Sequence, residues 1–130
     1  MKENYFNLIH HIAIIGSNYE QSLKFYCKIL KFKIIRETTR NEKNDIKIDL
    51  MFNDFIEIEL FIKPDAPARV SFPEALGLRH IAFKTQHIEE DVRYLKENGV
   101  HVEDIRLDDI THKKMVFFFD PDGLPIELHE

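Results

Sequence analysis

The sequence predicts an α+β protein made of two consecutive strand-helix-three-strand (βαβββ) halves, and three observations lead there. The first is an internal repeat: "HIAIIGSNYEQSLKFYCKIL" from His11 lies against "HIAFKTQHIEEDVRYLKENG" from His80 at an offset of 69 positions, sharing His-Ile-Ala and matching Glu20 with Glu89. The second is that both halves close alike, with Ile-Glu-Leu at 58–60 and again at 126–128. The third is a change of hydrophobic period inside each half, from short apolar runs to helical spacing and back.

Taken in order, residues 8–16 and 78–84 are rich in Ile, Ala and Phe and too short for helices, so they read as opening strands. Tyr19, Leu23, Tyr26, Cys27 and Leu30 recur at the spacing of one helical face, as do Ile88, Val92 and Leu95. Asn18 is suited to cap the first helix and Asn98-Gly99 to stop the second, whereas the matching stop in the first half falls on Lys31, which would bear a left-handed backbone penalty. Strands follow near 32–38, 45–52 and 55–62, then near 102–107, 114–119 and 124–129. Asn53-Asp54 and Asp120-Pro121-Asp122-Gly123 supply the turns between the last two strands of each half. A single domain over 1–130 is expected, with modules at 8–62 and 78–130 joined by a linker at 63–77 that holds Pro64, Pro67 and Pro73.

Composition narrows the function classes. With 44% hydrophobic and 32% charged residues among 130, and 11 Phe, there is material for a core and no signature of disorder. The net charge of −5 comes from interspersed charges with no basic block, which argues against nucleic acid as a partner. No apolar stretch approaches the roughly 20 residues of a membrane span, so no membrane partner is expected. "MKENYFN" lacks the apolar region of a signal peptide, and a single cysteine, Cys27, fits a reducing compartment; a cytoplasmic location is the expectation.

Alternation along strands sorts the polar residues onto faces. Ile56, Ile58, Leu60 and Ile62 form one apolar face, leaving Phe55, Glu57, Glu59 and Phe61 on the other; Glu127 and His129 likewise oppose Leu124, Ile126 and Leu128. The repeat then selects among neighbours. His11 aligns with His80 while His10 aligns with Arg79, which assigns His10 to the opposite face, and only Glu59, not Glu57, lies in the repeated Ile-Glu-Leu. Four candidates remain, His11, Glu59, His80 and Glu127, with 48 positions from His to Glu in the first half and 47 in the second. The other singled-out residues have plainer readings. Cys27 packs as a small hydrophobe; His10, Glu57, His87, His101, His112 and His129 are surface or rim residues; "MVFFF" is a buried strand; "KNDIK" is a solvated turn.

Two imidazoles and two carboxylates neutralise a divalent ion and leave octahedral positions for water or substrate oxygens. That mixed set suits one Ni²⁺, Zn²⁺, Co²⁺, Mn²⁺ or Fe²⁺ per site better than Ca²⁺ or soft Cu⁺. A small-molecule substrate with neighbouring oxygens could then lose a carbon-bound proton to form an enediolate stabilised by the metal, with a glutamate returning the proton to the adjacent carbon.

The paired halves, "HHIAI", "LKFYCKIL", "LRHIAF", "FFFDPDGLPIELHE" and the His/Glu/His/Glu order resemble the vicinal oxygen chelate superfamily over nearly the whole chain. Within it the chain is most similar to glyoxalase I (lactoylglutathione lyase) and its small bacterial stand-alone relatives. The resemblance implies a curved eight-stranded mixed sheet with a concave metal-binding cleft, usually in a homodimer. It transfers ligand roles to His11, Glu59, His80 and Glu127, with Glu127 as the catalytic base. One departure stands out. Glyoxalase I carries an Arg four positions after the first His to hold a glutathione carboxylate, and this chain has Ile15, which cannot form that contact. Lys113, Lys114 and Arg79 are alternative candidates for holding an anionic substrate. The leading reading is a metal-dependent lyase or isomerase acting on a small α-oxygenated carbonyl or hemithioacetal. The alternative is a non-catalytic drug- or metabolite-binding module like the bleomycin-resistance members, which lack most of the ligand set.

Overall fold

In the computed structural model, which describes residues 4–130, strand β1 (His11–Gly16) leads into helix α1 (Tyr19–Leu23), and Asn18 caps that helix by accepting from the Gln21 amide at 2.9 Å. Residues 1–3, the start of "MKENYFN", lie outside the described residues. The helix continues as a π-helical turn over Lys24–Ile29, closed by Leu30 N–H donating to the Phe25 carbonyl, and Lys31 then turns the chain at φ 66°. Strands β2 (Lys33–Arg40), β3 (Asp45–Met51) and β4 (Glu57–Ile62) complete the half. The second half has β5 (Ile81–Lys84), α2 (Ile88–Glu97), β6 (Arg106–Leu107), β7 (Lys114–Phe119) and β8 (Pro125–His129). Helix α2 stops through Gly99 N–H to the Lys96 carbonyl and Val100 N–H to the Leu95 carbonyl, with Gly99 at φ 78°.

The α+β class and both βαβββ modules match expectation. Hydrogen bonding joins the strands into two four-stranded sheets, ordered β1-β4-β3-β2 and β5-β8-β7-β6, each with one parallel pair (β1 with β4, β5 with β8). The chain divides into two units between Ala66 and Pro67. No helix among the described residues is long and apolar enough to cross a membrane.

The first half carries one residue more than the second, and the structure locates it. From cap to left-handed residue, Asn18 to Lys31 spans 13 positions, whereas His87 to Gly99 spans 12. The extra residue is taken up by the π turn, so it never reaches the sheet. Ala13 pairs with Glu59 in one unit and Ala82 with Glu127 in the other, the same register in both.

That turn also corrects the helical face. Of the expected stripe through Tyr19, Leu23, Tyr26, Cys27 and Leu30 only Tyr26 is fully enclosed; the buried residues are Ser22, Phe25, Tyr26 and Ile29. A wider turn rotates successive side chains by less than 100°, which shifts the face that an ordinary helical period predicts. In the second unit Ile88, Val92 and Leu95 are buried as expected. The sheets supply the rest of the core: Ile48, Leu50, Ile58, Leu60 and Ile62 in the first, and Val116, Phe118, Ile126 and Leu128 in the second.

The two closing hairpins use one device. Asn53 Oδ1 accepts from the Phe55 and Ile56 amides at 2.8 Å each, and Asp120 Oδ1 accepts from the Asp122 and Leu124 amides at 2.9 Å each. Each turn sets the start, and hence the side-chain parity, of the strand that carries the repeated glutamate.

"KNDIK" is not a solvated turn throughout. Asp45 and Lys47 lie in β3, and Asp45 is buried, gripped by Arg40 Nε and Nη2 at 2.7 and 2.6 Å and by Lys63 Nζ at 2.6 Å. The Arg40 bonds first, and Lys63 second, hold the Asp45 carboxyl well below the usual aspartate range. A depressed acid contributes stability above its unfolded value and loses it as pH falls toward the folded one. Asp45→Asn is therefore expected to lower the melting temperature at neutral pH, and the gap to the unmodified protein should narrow below about pH 4; melting curves across pH check this.

Candidate functional site

In the first unit, alternation along β1 and β4 turns His11, Ala13 and Ile15 to the same side as Glu57, Glu59 and Phe61, opposite the enclosed Ile14, Ile58 and Leu60. His11 Nδ1 lies 3.5 Å from Glu59 Oε2. His10 corrects the expectation that it faces away: it precedes the strand, so alternation does not govern it, and its Nδ1 lies 2.9 Å from His11 Nδ1. One of these nitrogens must donate and the other accept. Ile15, where a carboxylate-holding Arg was sought, stands on this face 53% exposed.

The same face holds an ionic ladder that the sequence reading did not single out. Arg36 Nε sits 2.8 Å from Asp49 Oδ2, and Arg36 Nη2 sits 3.3 Å from Glu57 Oε1. Lys47 Nζ sits 3.3 Å from Asp49 Oδ1 and 3.6 Å from Glu59 Oε2. Asp49 is only 1% exposed, and its oxygens are met by these cations without well-aligned hydrogen bonds. Glu57 is thus an ion-paired member of this face. The readable signal was the alternation in "DIKIDLM", which puts Asp45, Lys47 and Asp49 on one side of β3 and Ile46, Ile48 and Leu50 on the other.

In the second unit His80 directly precedes β5, with Nε2 3.1 Å from Glu127 Oε1. Arg79 Nη1 lies 3.0 Å from His80 Nδ1. A guanidinium can only donate, so Nδ1 accepts and Nε2 carries the proton toward the carboxylate. The His80 ring meets Phe117 edge to face at 5.0 Å between centroids, and Phe117 pairs across the sheet with Glu127. The "MVFFF" strand is buried as expected through residue 118, yet Phe117 forms one wall beside this pair. Glu127 is 8% exposed. On the same face His129 is half-buried, donating from Nδ1 to the Glu130 carbonyl at 2.6 Å with Nε2 3.3 Å from Asp108 Oδ2; the carbonyl first and Asp108 second raise its pKa. Lys114 pairs with Glu89 and Arg79 with Glu74, which occupies two of the three cations considered for an anionic substrate.

The model of the Glyoxalase/Bleomycin resistance protein/Dioxygenase superfamily matches residues 8–128. The chain belongs to this superfamily. It is 56% identical to the glyoxalase family protein from Enterococcus faecalis, whose crystal structure superposes with a TM-score of 0.94 over 98% of this chain and 100% of that one. It is 51% identical over 122 residues to the uncharacterized protein YwkD of Bacillus subtilis, covering 94% of this chain and 95% of the other. It is 31% identical over 124 residues to metallothiol transferase FosB of Staphylococcus saprophyticus, covering 93% and 75%.

For a member of the glyoxalase superfamily the donor chemistry is the point to test. Among the described residues no group of three or more His, Cys, Asp and Glu side chains is arranged to hold a metal ion. Each unit instead presents one imidazole nitrogen to one carboxylate oxygen, the borderline nitrogen and hard oxygen donors that divalent transition ions favour. Both pairs fit such an ion by donor type, two donors per unit.

Proposed function

We propose that this chain is a metal-dependent lyase or isomerase of the glyoxalase I type, which relocates a proton between neighbouring carbons of a small α-oxygenated carbonyl compound or hemithioacetal. The observation that supports it is the duplicated His–Glu pair, at 3.5 Å in one unit and 3.1 Å in the other, at equivalent register. In this reading His11, Glu59, His80 and Glu127 are ligands of a divalent ion, Ni²⁺ or Zn²⁺ first and Co²⁺, Mn²⁺ or Fe²⁺ otherwise. Bound there, the ion supplies Lewis acidity to neighbouring substrate oxygens.

The protein's own groups divide the remaining work. Glu59 faces both His11 and Lys47 through one oxygen, which ties it in place. Glu127 lies 3.1 Å from His80, is nearly enclosed and has Phe117 as its cross-strand neighbour. Glu127 is therefore the group that takes the carbon-bound proton and hands it to the adjacent carbon. Because Ile15 cannot pair with a carboxylate, the thiol portion of the substrate is not glutathione held by an Arg at that position. The protein acts as a cytoplasmic homodimer in this reading.

Purified protein is expected to contain close to one divalent ion per chain by elemental analysis and to turn over at least one member of a panel of hemithioacetals made from different thiols. Protein that stays metal-free after growth with several supplemented metals would replace this reading with the non-catalytic binding module. The likeness to a metallothiol transferase favours one further reading, transfer of a thiol to a small molecule. Consumption of free thiol, in place of isomerisation of a preformed adduct, distinguishes it.

A further inference from the structure

Across β3 and β4 the residue opposite Glu59 is Asp49, whereas the residue opposite Glu127 across β7 and β8 is Phe117. Two positions along, Lys47 in the first sheet corresponds to Met115 in the second. The fold thus accepts apolar residues at both places, and burying an ion pair is not the cheaper way to fill them. Asp49 and Lys47 call for a reason specific to the first half.

Their geometry suggests one. Lys47 Nζ is shared between two carboxylates, Asp49 at 3.3 Å and Glu59 at 3.6 Å. The Glu59 oxygen it faces is the one that His11 Nδ1 also faces, at 3.5 Å. A divalent ion taken up by His11 and Glu59 would meet the Lys47 charge beside the same oxygen. Asp49 offsets that charge from a fully enclosed position, and Arg36 at 2.8 Å anchors it there.

Resting on the reading of His11 and Glu59 as metal ligands, we propose that Asp49 is a positioning residue for this half-site: Lys47 is a placeholder cation for Glu59, and Asp49 retains Lys47 when a divalent ion takes its place. Without Asp49, Lys47 has only Glu59 to pair with and competes with the metal. Without Lys47, the competitor and its repulsion are both gone. Removing the two together restores the charge balance.

The test is the dissociation constant for Zn²⁺ alone, measured on the intact protein by competition with a chromophoric chelator, with a melting curve for each variant. Asp49→Asn should weaken binding by about 10- to 100-fold, the usual range for partners that orient metal ligands. Lys47→Met should tighten it, and the double variant, which also lacks the competing cation, should be restored to at least the affinity of the unmodified protein. Zn²⁺ affinity unchanged in Asp49→Asn, weakened in Lys47→Met, or not restored in the double variant overturns the proposal. A purely structural Asp49 would lower the melting temperature without that restoration. Should Asp49→Asn fail to fold, Lys47→Met decides alone, because it removes no enclosed charge: tighter binding supports the placeholder, equal or weaker binding sinks it. Unmodified protein that binds no Zn²⁺ rejects instead the metal reading beneath it, so the two failures are told apart.

Discussion

Replacing Glu127 by Gln is expected to leave the second unit folded and to lower turnover by about 10²- to 10⁴-fold, the range a positioned general base supplies. The amide keeps the size of the carboxylate, and in the metal-free protein its oxygen still accepts from His80 Nε2. What it loses is the capacity to take a proton from carbon. Initial rates on the hemithioacetal panel, with metal content and melting temperature measured on the same samples, read this out. Turnover retained in a folded, metal-loaded Glu127→Gln protein moves the base elsewhere, with Glu59 the next candidate. The choice between the two glutamates is physical: one shares its oxygen with Lys47 and His11, while the other pairs with His80 alone, whose ring meets Phe117 edge to face.

The largest loss of stability is expected from Phe118→Ala. Phe118 is 1% exposed, pairs across the sheet with Ile126 and bridges to Val102, so truncation leaves a ring-sized void within a closed strand face. Such a change costs about 3–5 kcal/mol. Leu107→Ala, on an exposed position of β6, should stay within about 0.5 kcal/mol. Chemical denaturation of both variants checks the contrast; equal losses would mean that the second sheet does not carry the core described here.

How much of this was legible depends on whether a feature was duplicated. The pairing of His11 with Glu59 and of His80 with Glu127 could be read because each half repeats the other, and strand alternation put the partners on one face. Arg36, Lys47 and Asp49 have no counterpart in the second half, so a comparison of halves passes over them although "DIKIDLM" alternates plainly. His10 escaped because alternation holds only inside a regular strand, and β1 begins at His11. The helical stripe was misplaced because a 3.6-residue period was applied to a segment with a wider turn. Lys31 was legible for the opposite reason: its position after the helix demanded a left-handed residue whatever its side chain, and it adopts φ 66°.

The wider turn at Lys24–Ile29 also says where this architecture can absorb a change in length. The two halves differ by one residue between His and Glu, and a slip of one in the strand that carries the glutamate would turn it to the opposite face of its sheet. Lodged in the helix, the surplus residue is harmless to both ladders, and each glutamate still stands beside an alanine. Insertions and deletions in such chains should therefore be tolerated in the helices and the segment joining the halves, while the spacing within each closing hairpin is held constant by the direction in which a single carboxylate must point.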